Sequence, residues 1–139
     1  YSLNAVQLHG DEPPELCRLI KDTGIQVIKA FNIGENMSFS FCTDYFACTD
    51  YFLFDTMTKH HGGSGQKFDW RLLDRYEAGH PFILSGGISP TDTDNIAGIA
   101  NPAFYGLDLN SRFEIEPGLK DIEKLKVFIN ELRNKYKLL

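Results

Sequence analysis

The sequence predicts an α/β fold built on a parallel sheet. Short runs rich in β-branched and aromatic residues alternate with amphipathic stretches, and the alternation recurs about every 28 residues if five units share the 139 positions. Ionisable residues stand at or near the ends of most of those runs, where parallel α/β proteins place their ligands.

In chain order, strands are expected at Ala5 to His9, Gln26 to Ala30, Tyr51 to Asp55, Phe82 to Ser85 and Ala103 to Asp108. A helix follows the first strand, with Asp11 or Glu12 as its cap, Pro13 and Pro14 in its first turn, Leu16, Leu19 and Ile20 on its apolar side and Gly24 as its stop. The helix between Glu35 and Cys48 is less well marked, because Phe and Thr dominate the stretch. That region also holds the pentapeptide Cys-Thr-Asp-Tyr-Phe twice, at 42 to 46 and at 48 to 52, read as coincidence rather than as a structural repeat. The last helix carries Ile122, Leu125, Phe128, Ile129, Leu132 and Tyr136 on one stripe. Periodicity alone leaves two architectures open: an open doubly wound sheet or part of a closed barrel. The whole of 1–139 reads as a single domain.

Composition excludes several classes of function. A net charge of -5 speaks against a nucleic-acid surface, which needs clustered Lys and Arg, and favours a small-molecule partner. The longest apolar runs are far short of the roughly 20 residues of a membrane span, so no membrane partner is expected. Cys17, Cys42 and Cys48 follow no metal-ligand or disulfide spacing, which suits a reducing, cytoplasmic location.

Side chains alternate across a strand, so Gln7 and His9 share one face and Val6 and Leu8 the other. The same alternation sets Lys29, Asp55 and Asp108 opposite Ile28, Phe54 and Leu107. A single buried polar residue is usually structural, but a ring of them at strand ends suggests a site. The fourth strand runs into Ser85-Gly86-Gly87, with Ser89-Pro90 opening a helix, a pattern suited to half of a phosphate cradle. Asn110 and Ser111, after the fifth strand, are candidates for the other half. Gly62-Gly63-Ser64-Gly65 resembles a nucleotide loop, yet Gln66 separates Gly65 from Lys67 and Phe68 stands where a dinucleotide fingerprint needs Gly. These glycines read instead as a lid over bound substrate. His60 and His61 read as solvated loop residues, and no metal site is expected.

Several segments, in order, are similar to phosphoribosylanthranilate isomerase. They are Asn-Ala-Val-Gln-Leu-His-Gly-Asp-Glu (4 to 12), Val-Ile-Lys-Ala (27 to 30), Leu-Phe-Asp-Thr (53 to 56), Gly-Gly-Ser-Gly-Gln-Lys-Phe-Asp-Trp (62 to 70), Leu-Ser-Gly-Gly (84 to 87) and Pro-Gly-Leu-Lys-Asp (117 to 121). The resemblance implies a (β/α)8 TIM barrel, here a partial barrel of five sequential parallel βα units corresponding to strands four to eight. It implies an Amadori rearrangement in tryptophan biosynthesis, without metal or organic cofactor. Asp55 is then the general acid; Gln7, His9 and Asp108 bind substrate; Gly86, Gly87, Asn110 and Ser111 hold its phosphate.

The family's general base is a Cys on its first strand, which this chain does not contain, so the chain by itself is expected to lack activity. Arg112 stands where the family usually has Gly. Unpaired strand edges at Ala5 to His9 and Ala103 to Asp108 are expected to invite self-association. A phosphosugar-binding module or a proteolytic remnant, without catalysis, is the alternative, and indole-glycerol-phosphate synthase chemistry would want Lys and Glu residues in place of the Asp55 pattern.

Overall fold

Five strands lie side by side, each hydrogen-bonded to the next in sequence order: β1 (Ala5–Leu8), β2 (Gln26–Ile33), β3 (Tyr51–Thr56), β4 (Phe82–Ser85) and β5 (Phe104–Leu107). Every pairing is parallel, so all five C-terminal ends share one edge. The computed structural model describes residues 2–34, 38–56 and 69–136. The order never reverses, whereas a doubly wound sheet requires a switch point.

The sheet is held by an aromatic layer on one face. Phe52, Phe54, Phe82 and Leu84 are fully buried there with Tyr76 and Leu73, and Trp70 is buried beside them. Phe52 is ringed by Phe31 at 5.2 Å, Phe46 at 5.8 Å and His80 at 4.3 Å between ring centroids. Each such Phe contributes roughly 1.5–3 kcal/mol by leaving water. The connections that cover this face are short. Helix α1 (Pro14–Lys21) buries Cys17 beside Val27 and Cys48, against Val6 and Leu8 of β1. Helix α2 (Thr93–Ala97) packs on helix α3 (Ile122–Tyr136), which buries Phe128 and Leu132. Ile122 and Ile129, expected on that buried stripe, are exposed on its flank.

The helix expected between Glu35 and Cys48 is a 3-10 helix, Phe39–Tyr45, capped by Ser38; a second 3-10 helix, Trp70–Arg75, is capped by Asp69. The first is dominated by Phe, Ser, Thr and Tyr, which lose rotamer freedom or compete for backbone partners in an α-helix; Thr43 Oγ1 donates to the Ser40 carbonyl at 2.8 Å. The N-cap of α1 is Pro13, not Asp11 or Glu12. Pro13 and Pro14 lack N–H groups, which reduces the number of donors that need a cap, and the Glu12 carboxylate is engaged elsewhere. An antiparallel hairpin that the strand pattern did not reveal joins β6 (Glu114–Glu116) to β7 (Leu119–Lys120). It turns at Pro117-Gly118, with Gly118 at φ +84.

At the opposite edge from the strand C-termini, Asp50 accepts from Lys21 Nζ at 2.7 Å and from the Val27 N–H at 2.8 Å. His80 stacks on Phe46, and its Nε2 lies 3.1 Å from Thr49 Oγ1. Burial lowers the His80 pKa, the Lys21 ammonium lowers it further, and Asp50 opposes them. The fold therefore favours the neutral ring. The unfolded chain takes up a proton first as pH falls below about 6.5, so stability is full above that value and declines between it and the lower folded value. Urea midpoints from pH 7.5 to 5 should fall with pH in the wild type, and the slope should be shallower in His80→Gln; equal slopes would refute the assignment.

Candidate active site at the C-terminal edge of the sheet

Register decides which polar residues meet. In parallel pairing, Cα partners share a face, so the pairs Gln7 with Ile28, Ile28 with Tyr51, and Asp55 with Ser85 place Gln7, Asp55 and Ser85 on the face away from the aromatic layer. His9 follows β1 on that side, and its Nε2 lies 3.7 Å from Asp55 Oδ2. Gln7 Nε2 lies 3.5 Å from His9 Nδ1. When the Gln7 amide donates to Nδ1, the neutral His9 ring carries its proton on Nε2, facing Asp55. On the other side of Asp55, Ser85 Oγ donates to Asp108 Oδ2 at 3.1 Å. The result is a polar row, Gln7, His9, Asp55, Ser85 and Asp108, along one sheet edge.

Lys29 is a correction to the alternation argument. It pairs with Phe52, so it stands on the helix-covered face with Val27 and not beside Asp55. Counting from Ile28 within one strand gives the alternation but not which side the neighbouring strand presents.

The turn after β4 is shaped around Asp55. Gly86 has φ +93, and a Cβ there would lie 2.5 Å from Asp55 Oδ1 and 2.7 Å from the Thr56 backbone. Thr56 Oγ1 fixes the turn by donating to the Ser85 and Gly86 carbonyls at 3.0 and 3.1 Å. Gly87 has φ +64 with open space around it. Asn110 and Ser111 follow β5, the strand next to β4, and Lys120 Nζ donates to Asn110 Oδ1 at 2.8 Å. Ser89 and Asp92 form a capping box at the turn into Pro90–Asp92. The glycines 62 to 65, expected as a lid, and His60 and His61 lie outside the described residues.

Ser85 and Thr56 join the candidate site in roles the sequence analysis did not give them: Ser85 entered only as part of the cradle pattern and Thr56 had no role. Ser85 was visible as a strand-end serine, but its bridging role needs the β3–β4 register. None of the three cysteines joins the row. Burial raises all three thiols above their ordinary value, Cys42 to about 12, so none supplies a thiolate near neutral pH.

A sequential parallel sheet with ionisable side chains and glycine turns gathered at its C-terminal edge defines the class of α/β proteins that bind ligands there. Within that class, the family model described as N-(5'phosphoribosyl)anthranilate (PRA) isomerase matches residues 1–131. The chain belongs to this family. It is 49% identical over 132 residues to the N-(5'-phosphoribosyl)anthranilate isomerase of Parabacteroides distasonis, covering 95% of this chain and 60% of that protein. The Thermotoga maritima phosphoribosyl anthranilate isomerase structure superposes with a TM-score of 0.74 at 37% identity, covering 95% of this chain and 62% of that one. A further structure of the isomerase, in complex with reduced 1-(o-carboxyphenylamino)-1-deoxyribulose 5-phosphate, gives 0.72 at 34% identity, over 95% of this chain and 60% of that one. The chain thus spans less than two thirds of the length of the relatives it matches. Among the described residues, no helix is long and apolar enough to cross a membrane.

Replacing either glycine tests the turn. Gly86→Ala meets both backbone strain and the Asp55 carboxylate, whereas Gly87→Ala meets strain alone. Gly87→Ala should cost about 1 kcal/mol and Gly86→Ala distinctly more. Equal losses in urea unfolding would mean that the turn does not press on Asp55.

Proposed function

We propose that this chain is the C-terminal part of a phosphoribosylanthranilate isomerase, a single domain over 1–139 that supplies strands four to eight of a (β/α)8 barrel. The observation that carries this reading is the placement of Asp55: its carboxylate stands one residue before the end of the central strand, with His9 Nε2 at 3.7 Å and Gly86 turned tightly against it. Family membership and the sequential strand order support the same reading.

The reaction is the Amadori rearrangement of N-(5-phosphoribosyl)anthranilate to 1-(2-carboxyphenylamino)-1-deoxyribulose 5-phosphate, in the cytoplasm. Asp55 gives its proton to the furanose ring oxygen, the bond from that oxygen to C1 breaks, and the nitrogen lone pair forms an iminium with C1. A base then removes the C2 proton, leaving an enolamine. C1 takes up a proton as the 2-hydroxyl loses its own, which yields the ketone. The chemistry is acid–base throughout. The base is a Cys from the first strand of the family barrel, outside this chain. Gln7, His9 and Asp108 orient and polarise the sugar, the N–H groups around Gly86 and Gly87 take the phosphate with Asn110 and Ser111, and the loop with Gly62, Gly63, Ser64 and Gly65 closes over it.

In this reading the remaining strands dock at the two edges of the sheet. Between β5 and α3 runs an apolar groove of about 460 Å³, lined by Phe104, Leu107, Phe128, Ile129, Leu132 and Tyr136. Among the described residues β1 pairs with β2 alone, and α1 exposes Leu16 and Leu19 nearby. An N-terminal segment that pairs with both edges closes the barrel. Without it, these edges lead to self-association.

Co-expression of the chain with the N-terminal two-fifths of the Parabacteroides relative provides the test. The pair should turn over substrate and the chain alone should not. Asp55→Asn should lower turnover of the pair by about 10²–10⁴-fold. Equal rates for Asp55→Asn and wild type would remove Asp55 from the role of acid. Substrate binding by the pair with no turnover would favour the binding-module alternative.

A further inference from the structure

Lys29 has no task in the chemistry above, yet it is only 2% exposed. From the helix-covered face of β2 its ammonium reaches the C-terminal edge and donates to the Gly10 carbonyl at 2.6 Å and the Ala30 carbonyl at 3.0 Å, with Glu12 Oε2 at 3.2 Å. The Glu12 carboxylate accepts the Gly10 N–H through both oxygens, at 3.1 and 3.0 Å. Gly10 is therefore gripped at both of its polar backbone atoms, the N–H by Glu12 and the carbonyl by Lys29. Tyr45 steadies the same loop by donating its hydroxyl to the Glu12 carbonyl at 3.0 Å. A Cβ at position 10 would lie 2.9 Å from Glu12 Oε1, so a side chain there would push aside the carboxylate that holds the Gly10 N–H. Burial works to raise the Glu12 pKa, but backbone hydrogen bonds and the Lys29 ammonium outweigh it and hold the carboxyl below its ordinary value.

Stability is a weak reason for this arrangement, even though the ammonium also lies 5.1 Å from the Phe31 ring centroid. Burying an ammonium is expensive even when its hydrogens find acceptors, and an apolar side chain of similar length beside Val27, Phe31 and Phe52 would serve the core as well or better. What the lysine and glutamate have in common is their target, the residue that follows His9.

We propose that Lys29 and Glu12 form a positioning pair that clamps Gly10 and so holds the His9 ring against Asp55. Lys29 touches no reacting atom; it acts through the backbone of the β1 loop. The proposal rests on the reading of Asp55 and His9 as working partners, and its test is arranged so that the two can fail separately.

The full chain, labelled with ¹³C-histidine and with His9 assigned by His9→Gln, gives a readout that needs no turnover. In Lys29→Met the His9 ring resonance should move toward its position in Asp55→Asn, where the contact is lost. In Glu12→Gln, which keeps an acceptor for the Gly10 N–H, it should move part of the way. The His80 resonance, at the opposite edge of the sheet, should stay in place in both. A His9 resonance that does not move in Glu12→Gln and in folded Lys29→Met overturns the proposal, as does movement of His9 and His80 together, which marks general loosening. If Lys29→Met does not fold, Glu12→Gln alone decides by the same criterion. In the complemented enzyme, Lys29→Met should lower kcat by roughly tenfold to 100-fold, as small misplacements do, with KM within about twofold; an unchanged kcat overturns the proposal. Absence of turnover in the wild-type pair would sink the isomerase reading and leave the histidine spectrum to decide on the clamp.

Discussion

Phe52 and Phe54 are buried on one face of β3, and since a strand has a side-chain period of two, that burial dictates where Asp55 points. A slip of one residue would carry Asp55 into the aromatic layer, where an unpaired carboxylate costs several kcal/mol. It would also bring both phenylalanines out. The other strands take their alignment from this one, β2 through Phe31 opposite Phe54 and β4 through Leu84 on its other side. The site and the core are therefore two faces of one constraint.

From that alignment the edge row follows. Ser85 is beside Asp55 because the β3–β4 register ends there, and Asp108 is beside Ser85 because its N–H is still bonded to the Leu84 carbonyl at 2.8 Å. His9 differs, since it lies past the end of β1 and no ladder bond holds it. Its loop is tied down by side chains, with the Lys29 ammonium at one end of Gly10 and the Glu12 carboxylate at the other. The two edges of the sheet are thus built differently: around Asp50, Lys21 and His80 the polar groups satisfy the starts of strands, and around Asp55 they meet one another across the strand ends.

Most of the candidate site was legible in the sequence, for a physical reason. Hydrophobic alternation marks strands, and polar or ionisable residues at the ends of such strands are costly unless used, so Gln7, His9, Asp55 and Asp108 stood out without a structure. Lys29 stood out equally and was misplaced, because alternation within β2 is blind to which face β3 covers. Ser85 and Thr56 act only through neighbours 23 to 30 residues away, and nothing local reports such distances.

The repeated pentapeptide separates what sequence decides from what it leaves open. Cys-Thr-Asp-Tyr-Phe at 42 to 46 lies mostly in a 3-10 helix, whereas the same five residues at 48 to 52 lead into β3. In the first copy Asp44 is exposed and Tyr45 donates to the Glu12 carbonyl. In the second Asp50 is bound by Lys21 and the Val27 N–H, while the Tyr51 ring meets Tyr105 at 4.6 Å. The sequence by itself determined the class of fold, the five strands to within a few residues and the family, because those rest on composition and on patterns that local geometry imposes. The tertiary structure alone decided which copy of the pentapeptide becomes a strand, which face Lys29 occupies and what Gly10 is held by, because hydrogen bonds to distant strands outweigh the small local preferences of five identical residues.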